Sequence, residues 1–122
     1  MTIRIDADRL GDIRALRQIL GRLAAGESHE VSLHLIEGLR TLNLDSLTLT
    51  LVDVEPEVSL SRLAGNAFRW ANTRKGWWAC CGLLDGLIEA NKPGHHYLTR
   101  EPPVDDALVE VCLYERTARE RG

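Results

Sequence analysis

The residue types best suited to binding or catalysis are concentrated in one stretch of the 122-residue chain, residues 68–81. This stretch holds the only phenylalanine, all three tryptophans and two of the three cysteines. It lies within residues 58–84, which contain no acidic residue and four basic ones: Arg62, Arg69, Arg74 and Lys75. Rings interleaved with cations favour a surface that binds an anion or a partner protein, because guanidinium groups pair with anions and stack on rings. The alternative is a corner of the core with a solvated basic rim, since large aromatic side chains are mostly buried.

The tryptophan doublet Trp77-Trp78 adds a constraint that charge alone does not. Neighbouring residues point in different directions on a helix and to opposite faces on a strand. The two rings therefore cannot both enter one core from one face. We expect at least one of them at an edge, in a pocket or at an interface.

We predict that the binding residues come from this stretch and from a histidine pair that follows Pro93-Gly94. A helix that begins near Gly76 would add unpaired N–H groups to the affinity for an anion. Adjacent histidines suit proton transfer or metal binding, but on a strand they point to opposite faces, which opposes joint chelation. The predicted binding residues are Arg69, Trp70, Arg74, Lys75, Trp77, His95 and His96.

No catalytic or metal centre is evident from residue spacing. Paired acids such as Asp105-Asp106 can transfer protons or hold magnesium, but after two prolines they equally suit a tight turn. Cys80 and Cys81 follow basic residues, which favours a thiolate, yet buried structural cysteines are the commoner case. Zinc-ligand spacing, glycine-rich phosphate loops and nucleic-acid-binding signatures do not occur in the sequence. We predict no catalytic residue, no metal and no cofactor, and we favour a binding protein over an enzyme.

Composition and charge indicate a cytoplasmic protein. The net charge of −3 argues against nonspecific binding to nucleic acid. The apolar runs are far shorter than the ~18–20 residues that span a bilayer, and residues 1–6 lack the apolar segment of a signal peptide. Three cysteines, two of them adjacent, do not indicate a disulfide framework. We expect no membrane partner.

Hydrophobic periodicity predicts two helices. The first follows a capping aspartate, Asp6 or Asp8, and ends at Gly26. Its apolar stripe recurs at steps of three and four residues: Leu10, Ile13, Leu16, Ile19, Leu20 and Leu23. The second helix, over residues 77–90, carries a stripe of large apolar residues and a stripe of small ones. The small residues are Ala79, Gly82, Gly86 and Ala90. A glycine inside a helix costs roughly 1 kcal/mol, so we expect this small stripe to pack closely against something. A buried strand over residues 75–84 is the alternative.

Alternating apolar and polar residues predict strands over residues 30–36, 46–54 and 107–114. Shorter strands are expected at residues 3–5 and 95–99. In the first of the long strands, His34 falls on the polar face and is expected to be solvated. Residues 38–45 are short enough for a hairpin or a wide turn. Residues 58–70 fit either a strand or a helix, with a turn at Gly65-Asn66.

This order of elements predicts an α+β fold in one domain, residues 1–115, followed by a charged tail over residues 116–122. We expect a mostly antiparallel sheet of four to five strands with two helices packed on one face. If residues 3–5 form the first strand, the order becomes the ferredoxin-like βαββαβ.

The sequence favours a non-catalytic binding domain that acts through a protein partner or through self-association. Small, acidic, bacterial-looking domains without motifs include immunity-type inhibitors and cargo proteins of mobile elements, which is an analogy of type and not of residues. Acidic residues such as Asp45 and Glu89 would suit a basic toxin or nuclease, and the basic aromatic stretch would suit self-association or a small anionic ligand. The alternative is a small-molecule-binding protein or enzyme with a pocket between helix and sheet. That pocket would be lined by Trp70, Trp77, Tyr97 and His96.

Overall fold

The computed structural model describes residues 2–7, 9–36, 38–42, 44–55, 60–90, 94–97 and 108–113. The helices are α1 (Leu10–Ala25) and α2 (Arg74–Ala90), and a short 3₁₀ turn covers Leu33–Leu35. The strands are β1 (Thr2–Ala7), β2 (Glu30–Ser32), β3 (Leu39–Leu42), β4 (Ser46–Leu51), β5 (Leu60–Ala64), β6 (Ala67–Asn72), β7 (Gly94–Tyr97) and β8 (Leu108–Leu113). The aspartate pair at 105–106 and the tail over residues 116–122 lie outside the described residues.

The strands form two four-stranded sheets that share one pairing pattern. The order is β3-β1-β8-β7 in the first sheet and β2-β4-β6-β5 in the second. In each sheet the two central strands run parallel, and each edge strand runs antiparallel to its neighbour. Ile5 lies opposite Val111 in the first sheet, and Leu49 lies opposite Trp70 in the second. Each α-helix carries the chain from one sheet to the other, since α1 joins β1 to β2 and α2 joins β6 to β7.

Buried residues of both sheets and both helices form one hydrophobic cluster. The first sheet contributes chiefly Ile3, Ile5 and Val111, and the second contributes Leu47, Leu49, Phe68 and Trp70. The predicted α+β class is therefore confirmed, with mainly antiparallel pairing and two helices. The strands divide between two sheets where the sequence predicted one, and they are more numerous than in the ferredoxin-like order.

Helix α1 follows its predicted stripe but not its predicted cap. The residue before the helix is Arg9, which makes no side-chain capping bond. Asp6 lies in β1, buried and 3.5 Å from the guanidinium of Arg4, so its assignment as the cap is wrong. Asp8 is outside the described residues. The predicted end at Gly26 is confirmed: its left-handed conformation, φ 80°, turns its N–H back to the last carbonyls of the helix.

The predicted strand over residues 30–36 is interrupted after three residues. The chain turns through the 3₁₀ segment, which buries Leu33. His34 is half-buried, and its Nδ1 accepts a hydrogen bond from the backbone N–H of Leu47 at 3.2 Å. The expectation that His34 is simply solvated is therefore wrong, because this imidazole ties the turn to β4. The link that follows contains a strand of its own, β3.

The segment over residues 58–70 forms strands and a turn, with no helix, wherever the structure describes it. β5 and β6 pair across the predicted turn at Gly65-Asn66, where Gly65 adopts φ 54°. Helix α2 is confirmed and begins at Arg74, so the alternative strand over residues 75–84 is wrong. The predicted C-terminal strand corresponds to β8, and the short strand near residue 95 corresponds to β7.

Candidate interaction surface on helix α2

The start of α2 is fixed by Thr73, which precedes its first turn. The Thr73 hydroxyl accepts a hydrogen bond from the N–H of Gly76 at 3.3 Å, and its carbonyl accepts one from the N–H of Trp77 at 3.0 Å. A threonine in this position satisfies one of the N–H groups that a helix leaves unpaired at its first turn. Because the first turn is fixed, helical periodicity determines the direction in which each later side chain of α2 points.

One face of α2 enters the core. Its buried residues are Trp77, Cys80, Cys81, Leu84 and Leu87. The Trp77 ring packs edge-on against Trp70, with 4.8 Å between ring centroids. Its indole N–H donates to the carbonyl of Thr50 at 3.2 Å, which satisfies the polar end of a ring that is fully buried. Trp77 therefore joins α2 to both central strands of the second sheet.

The opposite face of α2 is exposed, and we call it the outer face. It comprises Lys75, Trp78, Ala79, Gly82, Leu83, Gly86 and Glu89. The side chain of Trp78 is 51% exposed and that of Leu83 is 40% exposed. A Cβ atom placed on Gly82 or Gly86 would find no heavy atom within 4 Å. The small stripe therefore has no close neighbour within the described chain, because these glycines lie opposite the buried stripe.

Trp78 is held in place from one side. The guanidinium of Arg17, on α1, lies 5.6 Å from the centroid of its ring. The Nε of Arg17 also donates to Asp85 Oδ1 at 3.0 Å. This hydrogen bond is the main reason that the pKa of Arg17 is raised above its usual value. One arginine thus links α1, the exposed ring and an acidic side chain about two turns further along α2.

The structure separates the seven predicted binding residues. Trp70 and Trp77 are fully buried, in contact with each other. Arg69 is exposed on the second sheet, where its Nε donates to Thr50 Oγ1 at 3.4 Å. His95 and His96 lie on β7 in the first sheet. Arg74 and Lys75 remain together.

Arg74 and Lys75 line a shallow depression of about 260 Å³ at the start of α2. Its other lining residues are His29, Leu51, Val52, Asp53 and Thr73. The guanidinium of Arg74 packs so closely over Gly26 that a methyl group on that glycine would collide with it. His29 precedes β2 and Asp53 follows β4, and no pattern in the sequence predicts that these two loops meet at the start of α2.

The cysteines of α2 do not form a reactive pair. Burial raises the pKa of Cys80 to about 12, and burial also raises the pKa of Cys81. The Cys81 thiol contacts the backbone carbonyl of Arg17 at 3.9 Å. Both thiols therefore stay protonated near neutral pH, and Cys81 contributes to the contact between α1 and α2.

Within the part of the chain that the structure describes, no three or more His, Cys, Asp or Glu side chains are placed to hold a metal ion. Neither described α-helix is long and apolar enough to cross a membrane. Comparison with protein-family models, with curated proteins and with solved structures finds no match. The geometry of the chain itself is therefore the basis for inferring its function.

Proposed function

We propose that the chain is a non-catalytic interaction domain that binds a protein partner through the outer face of α2. The observation that carries the proposal is the exposure of Trp78, which stands in contrast to the complete burial of its neighbour Trp77. Tryptophan is among the residues that contribute most to binding energy when an interface covers them. Leaving such a ring half exposed keeps apolar surface in water, and a partner would remove it from water.

The setting of Trp78 favours binding because the ring is already oriented. Arg17 covers one side of the ring, and Asp85 holds Arg17 in turn. A side chain that is restrained before binding loses less conformational entropy when the partner arrives. The remaining exposed surface of the ring is then available to a partner at little ordering cost.

The shape of the outer face also suits a partner. Gly82 and Gly86 leave the backbone of α2 uncovered, and Trp78 and Leu83 stand on either side of them. We call the bare backbone between these two projecting side chains the groove, and it suits a projecting side chain of another helix. A polar ligand would gain little there.

The proposal is tested by placing a photo-crosslinking amino acid at position 78 and expressing the chain in its native host. Position 63 is the matched control, because Leu63 is also an exposed large apolar residue, 59% exposed, but lies on β5. We expect a discrete protein adduct at position 78 and none at position 63. Excess unlabelled wild-type chain should suppress the adduct, whereas the W78A chain should not. No adduct at position 78, or equal adducts at both positions, contradicts the proposal.

A second candidate function is the binding of a small anion in the depression beside α2. The observation that favours it is the convergence there of Arg74 and Lys75 with His29. Inorganic phosphate should shift the backbone amide resonances of residues 73–76 in a saturable way. We expect the R74Q/K75Q chain to lose the saturable shift and the R69Q chain to keep it, since Arg69 is an exposed arginine on the neighbouring sheet. Equal, non-saturating shifts in all three chains contradict this function.

A further inference from the structure

We infer that the partner that covers the outer face of α2 is a second copy of this chain. Two α2 helices would pack antiparallel, related by a two-fold axis that passes through Gly82. This inference rests on the proposed function and gives it a partner. Two features of the outer face carry the inference, its charge and its shape. In each, the outer face of one copy complements the outer face of a second copy.

The charges of α2 are separated along its length. Arg74 and Lys75 are exposed in its first turn, and Glu89 is exposed in its last. Lys75 and Glu89 are about 21 Å apart along the helix axis at 1.5 Å per residue, so they cannot pair within one chain. Each lies seven residues from Gly82, on opposite sides of it. An antiparallel pairing about Gly82 therefore brings Lys75 of each copy to Glu89 of the other.

This charge distribution also selects the orientation. A parallel pairing would place the basic ends of the two helices together and leave like charges opposed. In the antiparallel pairing the helix dipoles also run in opposite directions, so the positive end of each helix lies beside the negative end of the other. The two-fold relationship makes every favourable contact occur twice.

The shape of the outer face matches in the same register. Trp78 and Gly86 each lie four residues from Gly82, on opposite sides of it. The projecting ring of one copy therefore faces the uncovered backbone at Gly86 of the other. Gly82 lies at the crossing point, where the absence of a side chain lets the two backbones approach closely. A ridge on each copy thus fills the groove of its partner.

A single helix–helix contact buries less surface than the roughly 1,200–2,000 Å² of stable complexes. The dimer should therefore be weak, with dissociation in the micromolar to millimolar range. We propose sedimentation velocity over that range for the purified wild-type chain and for the G86L and G11L chains. Gly11 is the matched control, since it is an exposed glycine on α1 where an added Cβ would find no heavy atom within 4 Å.

We expect G86L to weaken the dimer at least about tenfold, because the added side chain fills the groove that Trp78 enters. G11L should dimerise like the wild type. Both variants should unfold at a temperature equal to or above that of the wild type, because leucine is a better helix former than glycine and meets open space at both sites. Loss of the dimer in G86L can then not be attributed to unfolding.

Charge reversal tests the register independently. K75E and E89K should each weaken self-association, because each places like charges together twice. An equal mixture of the two variants should restore it, since a mixed pair opposes unlike charges at both contacts in place of two like-charge contacts and leaves the Trp78 contacts intact. A dimer that survives G86L and both reversals uses another surface and refutes the inference.

The two experiments together distinguish failure of the dimer from failure of the proposed interaction surface. If the chain stays monomeric throughout the range while position 78 still yields a crosslink to a different protein, the second copy is refuted and the interaction surface is retained. If position 78 yields no crosslink and the chain stays monomeric, both are refuted. A crosslink with the mass of two chains, together with the variant pattern above, supports both.

Discussion

Replacing each tryptophan of the doublet by phenylalanine should reveal two different energetic roles on one turn of helix. W77F removes the indole N–H that donates to the Thr50 carbonyl and part of a ring that packs against Trp70. The lost hydrogen bond costs about 1 kcal/mol net, and the space left in the core adds about 1–2 kcal/mol. The free energy of unfolding should therefore fall by about 2–3 kcal/mol, which corresponds to a decrease in Tm of about 8–12 °C.

W78F is the control for that experiment, because it makes the same chemical change one residue away. The Trp78 ring is half exposed and its described ring contact is with Arg17. A substitution of this kind should change the free energy of unfolding by less than about 0.5 kcal/mol. Urea unfolding followed by far-UV circular dichroism is the suitable assay, since tryptophan fluorescence changes with the substitution itself. Equal costs for the two variants would refute the assignment of Trp77 to the core and Trp78 to the surface.

Three further predictions concern the helices and their ends. Cys80, whose pKa burial raises from 9.0 to about 12, should resist iodoacetamide in the folded chain and react in urea, as read by peptide mass spectrometry. The thiol ionises at lower pH in the unfolded chain than in the folded chain. The stability contributed by the buried, protonated thiol should therefore be complete below about pH 9 and decline towards pH 12, and C80A should reduce that decline. G26A should lower Tm more than G65A does, since both glycines have positive φ but only a side chain at position 26 would collide with a guanidinium. Equal decreases in Tm would show that Arg74 moves aside freely. A double-mutant cycle of R17Q and D85N should give a coupling of about 0.5 kcal/mol that decreases with salt, and a coupling of zero would contradict the ion pair.

Elements whose periodic pattern extends over many consecutive residues can be predicted from the sequence. The stripes of α1 and α2 extend over about three to four turns, so a single misplaced residue does not hide them. β4 alternates without interruption, and Leu47 and Leu49 are buried as their spacing predicts. The doublet Trp77-Trp78 divides between different surroundings as predicted, because helical rotation alone requires it.

Features that depend on partners distant in sequence could not be predicted. The 3₁₀ turn that ends β2 is held by His34 bonding to the backbone of β4, and no local pattern reports that contact. Alternating residues likewise predict a strand but not the sheet to which that strand belongs. That the glycines of α2 have no close neighbour within the described chain could not be predicted, since a small stripe fits a close contact and an open groove equally well. Its position opposite the buried stripe is the signal that distinguishes them.

The parallel pairing of β1 with β8 determines the order in which the molecule can assemble. Ile5 and Val111 lie side by side, although they are 106 residues apart in the chain. The second sheet needs only residues 30–72, so it can form as soon as that segment has left the ribosome. β1 leaves the ribosome before β3 and can pair with it early, yet its other edge waits until β8 has been made. During that interval an apolar strand with one open edge is exposed to other nascent chains, which makes the first sheet the vulnerable half of the fold.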